Sequence, residues 1–273
     1  ELEGAQLEVR DESNNVVDSW TSTHVPHYVS GLEEGQTYTL IETTAPDGYV
    51  KAESITFTVS NENQEVVMKD AEITIDKVDE ETEEPVLDAQ FSVFDMEGNL
   101  IDQWITDGKA HAVSHLEAGK EYILKETKTP RGYQTVTDTT FTVSGEEDLS
   151  LEIKEKPVLV NIQVNKVDAK TKQLIKDKDF EFTLYKDPDC IYSMAAASSK
   201  DGSATFKDLR YGTYYIKETK APFGYHLSTE VKKVVIDENV KGDTYTFDYE
   251  NTPIEIIQTG DPTNLLMIIG LGL

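Results

Sequence analysis

Tyr214-Tyr-Ile-Lys-Glu218-Thr-Lys-Ala-Pro222-Phe-Gly224-Tyr225 decides how this chain is read, because it is the third copy of one pattern. The earlier copies are Tyr38-Thr-Leu-Ile-Glu42-Thr-Thr-Ala-Pro46-Asp-Gly48-Tyr49 and Tyr122-Ile-Leu-Lys-Glu126-Thr-Lys-Thr-Pro130-Arg-Gly132-Tyr133. They recur at intervals of 84 and 92 residues, Tyr49 to Tyr133 and Tyr133 to Tyr225, too long for a solenoid repeat and right for a small β-sandwich. Side chains alternate faces along a strand. Tyr38, Leu40 and Glu42 therefore share a face, as do Tyr122, Leu124 and Glu126, and Tyr214, Ile216 and Glu218. Three times, a glutamate follows two apolar side chains toward a core.

Around each copy run short β-branched and aromatic segments punctuated by Gly, Asn and Asp: Phe57-Thr-Val59, Ile73-Thr-Ile75, Phe91-Ser-Val-Phe94, Phe141-Thr-Val143, Phe182-Thr-Leu184 and Val234-Val-Ile236. Strand and turn signals at this density predict an all-β fold of tandem sandwiches. The expected modules span 1–70, 71–156 and 157–253, followed by a tail at 254–273. Their linkers are short enough to make the array semi-rigid. One helical turn is expected near Met194–Ala197. In the first module Gly4-Ala-Gln-Leu7 lines up with Asp88-Ala-Gln-Phe91, so the stretch that would form its opening strand is absent.

The 25 basic and 52 acidic residues give a formal charge of −27, which would repel phosphate backbones and anionic membrane surfaces. Nucleic acid is excluded as a partner, and the acidity reads as a solvated surface. The single cysteine, Cys190, excludes an intramolecular disulfide and any cluster of thiolate ligands. Small extracellular domains would then need another staple. Glu1 is not preceded by a methionine or a signal peptide and the chain stops inside an apolar run, so a piece of a longer protein is expected at both ends.

The strand opening the third module puts Ile162, Val164 and Lys166 on one face, and its closing strand puts Tyr245, Phe247, Tyr249 and Asn251 on one face. A lysine, a glutamate and an asparagine are thus threaded inward among apolar neighbours. Burying an unpaired ammonium or carboxylate costs several kcal/mol, on the order of a small domain's whole stability. Chemistry is one reason to bear that cost. In an apolar pocket a neutral amine becomes accessible, so Lys166 can attack the Asn251 carboxamide while Glu218, in its acid form, polarises the oxygen and shuttles protons. Ammonia leaves and an isopeptide bond joins first strand to last. The alternative is a buried salt-bridged or hydrogen-bonded network without a covalent bond.

Val164-Asn-Lys166-Val-Asp168, the glutamate box ending at Tyr225, and Tyr249-Glu-Asn251-Thr-Pro253 resemble the Cna protein B-type, or SpaA-like, pilin and adhesin domains of Gram-positive surface proteins. The resemblance covers nearly the whole chain. It implies a prealbumin-like β-sandwich, autocatalytic isopeptide formation with no cofactor and no metal, and extension by end-to-end stacking. The modules are unequal against this pattern. The second offers Lys77 and Glu126, but Glu155 stands where the family has Asn or Asp, so an ion pair is expected. The first offers Glu42 and Asp70, but its lysine would lie upstream of Glu1, so no bond is expected in the sequence as given.

After the last strand, Ile256-Ile-Gln-Thr259-Gly260 followed by an apolar run resembles a sorting signal. Cleavage is expected between Thr259 and Gly260, although Ile257 replaces the family's proline. Leu265–Leu273 would begin a hydrophobic helix that touches the membrane only before sorting. The resemblance implies as partners a sortase and peptidoglycan or other pilin subunits, with a host matrix protein or glycan as a further candidate, and a location on a Gram-positive cell wall. His24, His27, His111 and His115 read as surface-loop histidines, and Asp187-Pro-Asp189 and Asp95–Asn99 as turns. Three functions remain: a structural pilin or adhesin stalk; an adhesin whose 186–200 stretch grips a host ligand; and the anchoring stalk of a larger surface enzyme. Nothing in the sequence points to catalysis on an outside substrate.

Overall fold

The computed structural model describes residues 2–145 and 147–255. Every regular element among them is a strand. The chain divides into two compact units, Glu1–Val158 and Leu159–Leu273. The first unit contains two all-β modules and the second contains one.

In the first module β1 (Gln6–Arg10), β2 (Val16–Thr21), β3 (Thr37–Thr44) and β4 (Ile55–Thr58) form one antiparallel sheet in the order β2-β1-β3-β4. In the second, β5 (Ile73–Asp79), β6 (Gln90–Asp95), β7 (Leu100–Ile105), β8 (His111–Ala112), β9 (Glu121–Lys128), β10 (Thr139–Thr142) and β11 (Leu149–Glu155) build two sheets, β10-β9-β6-β7 and β11-β5-β8. The third repeats this plan with β12 (Val160–Asp168), β13 (Phe180–Tyr185), β14 (Ser193–Ser199), β15 (Ser203–Leu209), β16 (Gly212–Lys220), β17 (Val231–Ile236) and β18 (Thr244–Asn251), as β15-β12-β18 and β14-β13-β16-β17.

In the two complete modules the opening and closing strands run parallel, β5 beside β11 and β12 beside β18. A parallel pair needs a long crossover, and here the crossover is the entire module. Closure therefore brings residues near the two ends of each module side by side. The alternation foreseen for the cores is present: Ile73 and Ile75, Phe91 and Val93, Tyr122 and Leu124 are buried in the second module, and Ile162 and Val164, Phe180 and Phe182, Tyr214 and Ile216 in the third. Val50, from the loop after the first module's glutamate box, is fully buried in the second module's core.

Two expectations are corrected. Met194–Ala197 lies inside β14, not in a helical turn, and pairs antiparallel with β13 from Phe180↔Ser199 to Leu184↔Ala195. Three alanines favour a helix locally, but an open edge of a sheet supplies ladder hydrogen bonds that override so weak a preference. His111 is not a surface-loop residue. It starts β8, pairs with Ile75, and stacks on Trp104 with ring centroids 4.1 Å apart.

Candidate functional site

The same local device aims the glutamate inward in every module. The strand facing each glutamate carries a bulge, at Gln6/Leu7, Gln90/Phe91 and Glu181/Phe182, and the residue just past it pairs with the glutamate: Leu7↔Glu42, Phe91↔Glu126 and Phe182↔Glu218. A bulge locally bends its strand and re-aims side chains. The threonine after each glutamate marks the same spot, since the Oγ1 of Thr43, Thr127 and Thr219 donates to the carbonyls of Gln6, Gln90 and Glu181 at 3.1, 3.2 and 3.5 Å.

Pro-x-Gly-Tyr then turns the chain back. Tyr49, Tyr133 and Tyr225 N–H groups donate to the carbonyls of Pro46, Pro130 and Pro222. The intervening Gly48, Gly132 and Gly224 have φ of 86–88°, a left-handed conformation costly for any residue with a Cβ. The turn returns a backbone N–H ten residues on to each glutamate: Ala52 to Glu42 at 2.6 Å, Val136 to Glu126 at 3.0 Å and Ser228 to Glu218 at 2.8 Å. The turn's tyrosine also anchors it to the opening strand, Tyr133 Oη to Asp79 at 2.8 Å and Tyr225 Oη to Asp168 at 2.9 Å.

In the third module Lys166, Glu218 and Asn251 come together, all at most 1% exposed. Lys166 Nζ lies 2.6 Å from Glu218 Oε1. At this distance amine and carboxyl form a buried ion pair. Asn251 Nδ2 donates to both Glu218 oxygens at 3.0 and 2.9 Å and to the His226 carbonyl at 2.8 Å, while its Oδ1 has no partner. Around the amine stand Phe182 and Tyr249, with ring centroids 4.8 and 4.4 Å away. Desolvation by this wall lowers the Lys166 pKa to about 8, opposed by Glu218. The arrangement poises an amine near neutrality beside a carboxyl that touches both it and a carboxamide.

The second module has the same frame and a different acceptor. Lys77 Nζ is 3.0 Å from Glu126 Oε1 and 2.9 Å from Glu155 Oε2, with Phe91 4.6 Å from the amine. Burial pushes the Glu155 carboxyl up to about 7, opposed by Lys77 and reinforced by Glu126. One lysine faces two carboxyls, so the cluster approaches neutrality only by holding a proton.

In the first module no lysine among the described residues meets the glutamate in an ion pair. Glu42 is 1% exposed, and its Oε1 has no partner. Burial raises its pKa, with the charge of Asp70 adding to the effect against the Ala52 N–H. Asp70, half-buried, is raised by desolvation as well.

The parity of the strands identified all eight of these ionisable or amide side chains in the sequence. It missed the carbonyl of His226, the N–H groups of residues 52, 136 and 228, and the tyrosine–aspartate ties, although the Glu-Thr and Pro-x-Gly-Tyr pairs were their visible signal. His27 and Trp20 stack at 4.2 Å, with His27 Nε2 2.9 Å from Asp18, the same grouping as Trp104, His111 and Asp102. Cys190 is a free thiol in a turn held by the Asp187 carboxylate, and Asp95 caps its own turn in the same way. Among the described residues no group of three or more His, Cys, Asp or Glu side chains is placed to hold a metal ion. Thr259, Gly260, Ile257 and the expected hydrophobic helix lie outside the described residues.

These features define a class: a tandem array of small all-β modules, the two complete ones closed around buried ionisable groups supplied by the glutamate box and the end strands. The model of the SpaA family, described as a prealbumin-like fold domain, matches residues 1–72, 71–157 and 160–253, so the chain belongs to that family. It is 32% identical over 112 residues to the trypsin-resistant surface T6 protein of Streptococcus pyogenes serotype M6, covering 41% of this chain and 19% of that protein. Among solved structures it is similar to the TIE protein of Bacillus anthracis, with a TM-score of 0.54 and 25% identity over 92% of this chain and 48% of that one. The chain thus spans less than half the length of either relative.

Proposed function

We propose that the chain is a cell-wall-anchored structural segment of a Gram-positive surface protein, a pilin subunit or adhesin stalk, whose third module staples itself with a Lys166–Asn251 isopeptide bond. Family membership and the likeness to a streptococcal surface protein support the surface role. The observation that carries the staple is the buried contact of Glu218 with both the Lys166 amine and the Asn251 amide.

Lys166 passes a proton to Glu218, and the neutral Nζ attacks Asn251 Cγ. The new C–N bond forms as the Cγ–Nδ2 bond breaks, the proton held by Glu218 goes to the departing nitrogen, which leaves as ammonia, and the surplus proton on the newly bonded Nζ passes back to Glu218 to leave a neutral amide. No cofactor takes part. In the second module Lys77, Glu126 and Glu155 remain an ion-paired cluster. Modules bounded at 1–70, 71–156 and 157–253 lead into a sorting signal, which a sortase cuts between Thr259 and Gly260 to join Thr259 to peptidoglycan or another subunit. A second reading, that residues 186–200 grip a host protein or glycan, draws on the exposed Ile191 and Tyr192.

Intact mass of the purified chain, with peptide mapping, tests the staple. The expected result is a mass short by one ammonia, a Lys166–Asn251 cross-linked peptide, and full mass in Glu218→Ala. Full mass in the wild-type chain would sink the claim and leave a non-covalent network.

A further inference from the structure

The three modules differ at one sheet edge. β2, β7 and β14 hold the same place, each at the end of its sheet and paired with a single strand, β1, β6 and β13. Their registers correspond: Asp18 faces Val9, Asp102 faces Val93 and Ala195 faces Leu184, each beside a bulge. In the first two modules that aspartate guards the edge. Its Oδ1 accepts the N–H of the next residue, Ser19 at 2.8 Å and Gln103 at 2.7 Å. Its Oδ2 lies 2.9 and 3.0 Å from His27 and His111, which stack on Trp20 and Trp104. In the third module alanines replace the whole group: Ala195 for the aspartate, Ala197 opposite Phe182 for the tryptophan, and Ala204 opposite Val164 for the histidine.

β14 is left as Ser193-Met-Ala-Ala-Ala-Ser-Ser199, seven residues with neither charge nor proline in a chain of charge −27. Ser193 to Ala196 are exposed in succession, so both faces of the strand are open there, next to the exposed Ile191 and Tyr192. The opposite edge of the same sheet, β17, carries Lys232 and Lys233. Charged residues are how an edge strand is kept from pairing with another chain, and β14 has none.

We propose that the outer edge of β14 pairs antiparallel with β14 of a second copy of this chain, across a two-fold axis at Ala196 that sets Ala195 opposite Ala197. A two-fold contact requires a patch that complements itself, and small uncharged side chains on both faces meet that requirement. The charges at the ends of the strand choose its direction. Asp187 and Asp189 precede β14 and Lys200 follows it, so antiparallel pairing carries each copy's lysine toward the other's acidic turn, whereas parallel pairing sets lysine beside lysine. The main-chain ladder supplies the affinity. Such pairing joins third modules side by side. It does not depend on the Lys166–Asn251 bond, and it gives to a second copy the stretch that the second reading above gives to a host ligand.

Sedimentation equilibrium of the full chain in about 0.15 M salt tests the pairing, since a Debye length of about 8 Å screens the spread-out charge of two copies but not groups meeting at the axis. The expected result is a reversible monomer–dimer equilibrium. Ala196→Glu and Ala196→Lys should each be monomeric, because the axis sets like charges against one another, and an equimolar mixture of the two should recover the dimer. Recovery on mixing also shows that both variants fold. Ala195→Asp, which restores the residue of the other two modules, should be monomeric with the far-UV circular dichroism of the wild type. A wild-type chain that stays monomeric at about 1 mM overturns the proposal. So does a dimer that survives Ala196→Glu, or a mixture that fails to pair, since either places any contact on another surface.

Discussion

Lys166 and Glu155 face opposite electrostatic problems, and pH separates them. Burial holds Lys166 at about 8 against an ordinary 10.5. Between those values an unfolded chain binds a proton that the folded one does not, so folding becomes more favourable as pH rises. In Asn251→Ala, where no bond removes the amine, urea unfolding of the third module should gain on the order of 3 kcal/mol from pH 7.5 to 10.5. The wild type should lack that rise where the proposed amide holds its lysine. Glu155 behaves in reverse. Its folded value of about 7 exceeds the ordinary 4.5, so the favourable contribution is complete below 4.5 and is lost as pH rises through 7. Glu155→Gln should flatten the fall in stability between pH 5 and 7.5, read by tryptophan fluorescence. Both tryptophans, Trp20 and Trp104, lie in the first unit, so that signal ignores the third module.

At the scale of elements, the glutamate box works as strand, bulge and turn together. Gly224 has room for a methyl group, the nearest side-chain atom being Lys178 Nζ at 3.8 Å from a Cβ built there, so Gly224→Ala tests backbone strain alone. The substitution should cost about 1–2 kcal/mol in an Asn251→Ala background, measured by urea unfolding. In the otherwise native chain it should also slow the loss of ammonia, because the turn delivers the Ser228 N–H to Glu218. Much of this element was legible beforehand: alternation put Tyr214, Ile216 and Glu218 on one face, and Pro-x-Gly marked the turn. The bulge at Glu181/Phe182 was not, since a one-residue slip in pairing exists only when two distant strands meet. The strand at Met194–Ala197 was hidden for the same reason, because its partner β13 and not its own alanines decides its conformation.

Across the whole molecule, closure by parallel end strands makes each complete module a loop of chain pinned at its termini, where an amide bond would resist extension most directly. The first two modules are not independent in their packing. Val50 sits among the second module's core residues, and the Gly48 N–H donates to Ser114 Oγ at 3.0 Å. Val50→Ala should therefore destabilise the 2–158 unit by about 2 kcal/mol, seen as an earlier tryptophan transition, and leave the proposed loss of ammonia from the third module unchanged. The charge of −27 predicts that the chain passes a phosphocellulose or DNA column unretained at low salt.

The sequence by itself determined the class of fold, the repeat of the modules, and which ionisable side chains face inward, because period-two alternation and turn chemistry are local properties of the chain. It also separated the modules by acceptor: Asn251 in the third, Glu155 in the second, Asp70 in the first. Only the tertiary structure decided how those residues meet: that Glu218 touches amine and amide at once, that Glu155 shares Lys77 with Glu126, and that Glu42 is buried with one oxygen unpartnered. Those contacts join residues as far apart as Lys77 and Glu155, 78 positions, through a parallel strand pair, a bulge and a returning loop, and such a distance is set by the closure of the sheets and by no stretch of sequence alone.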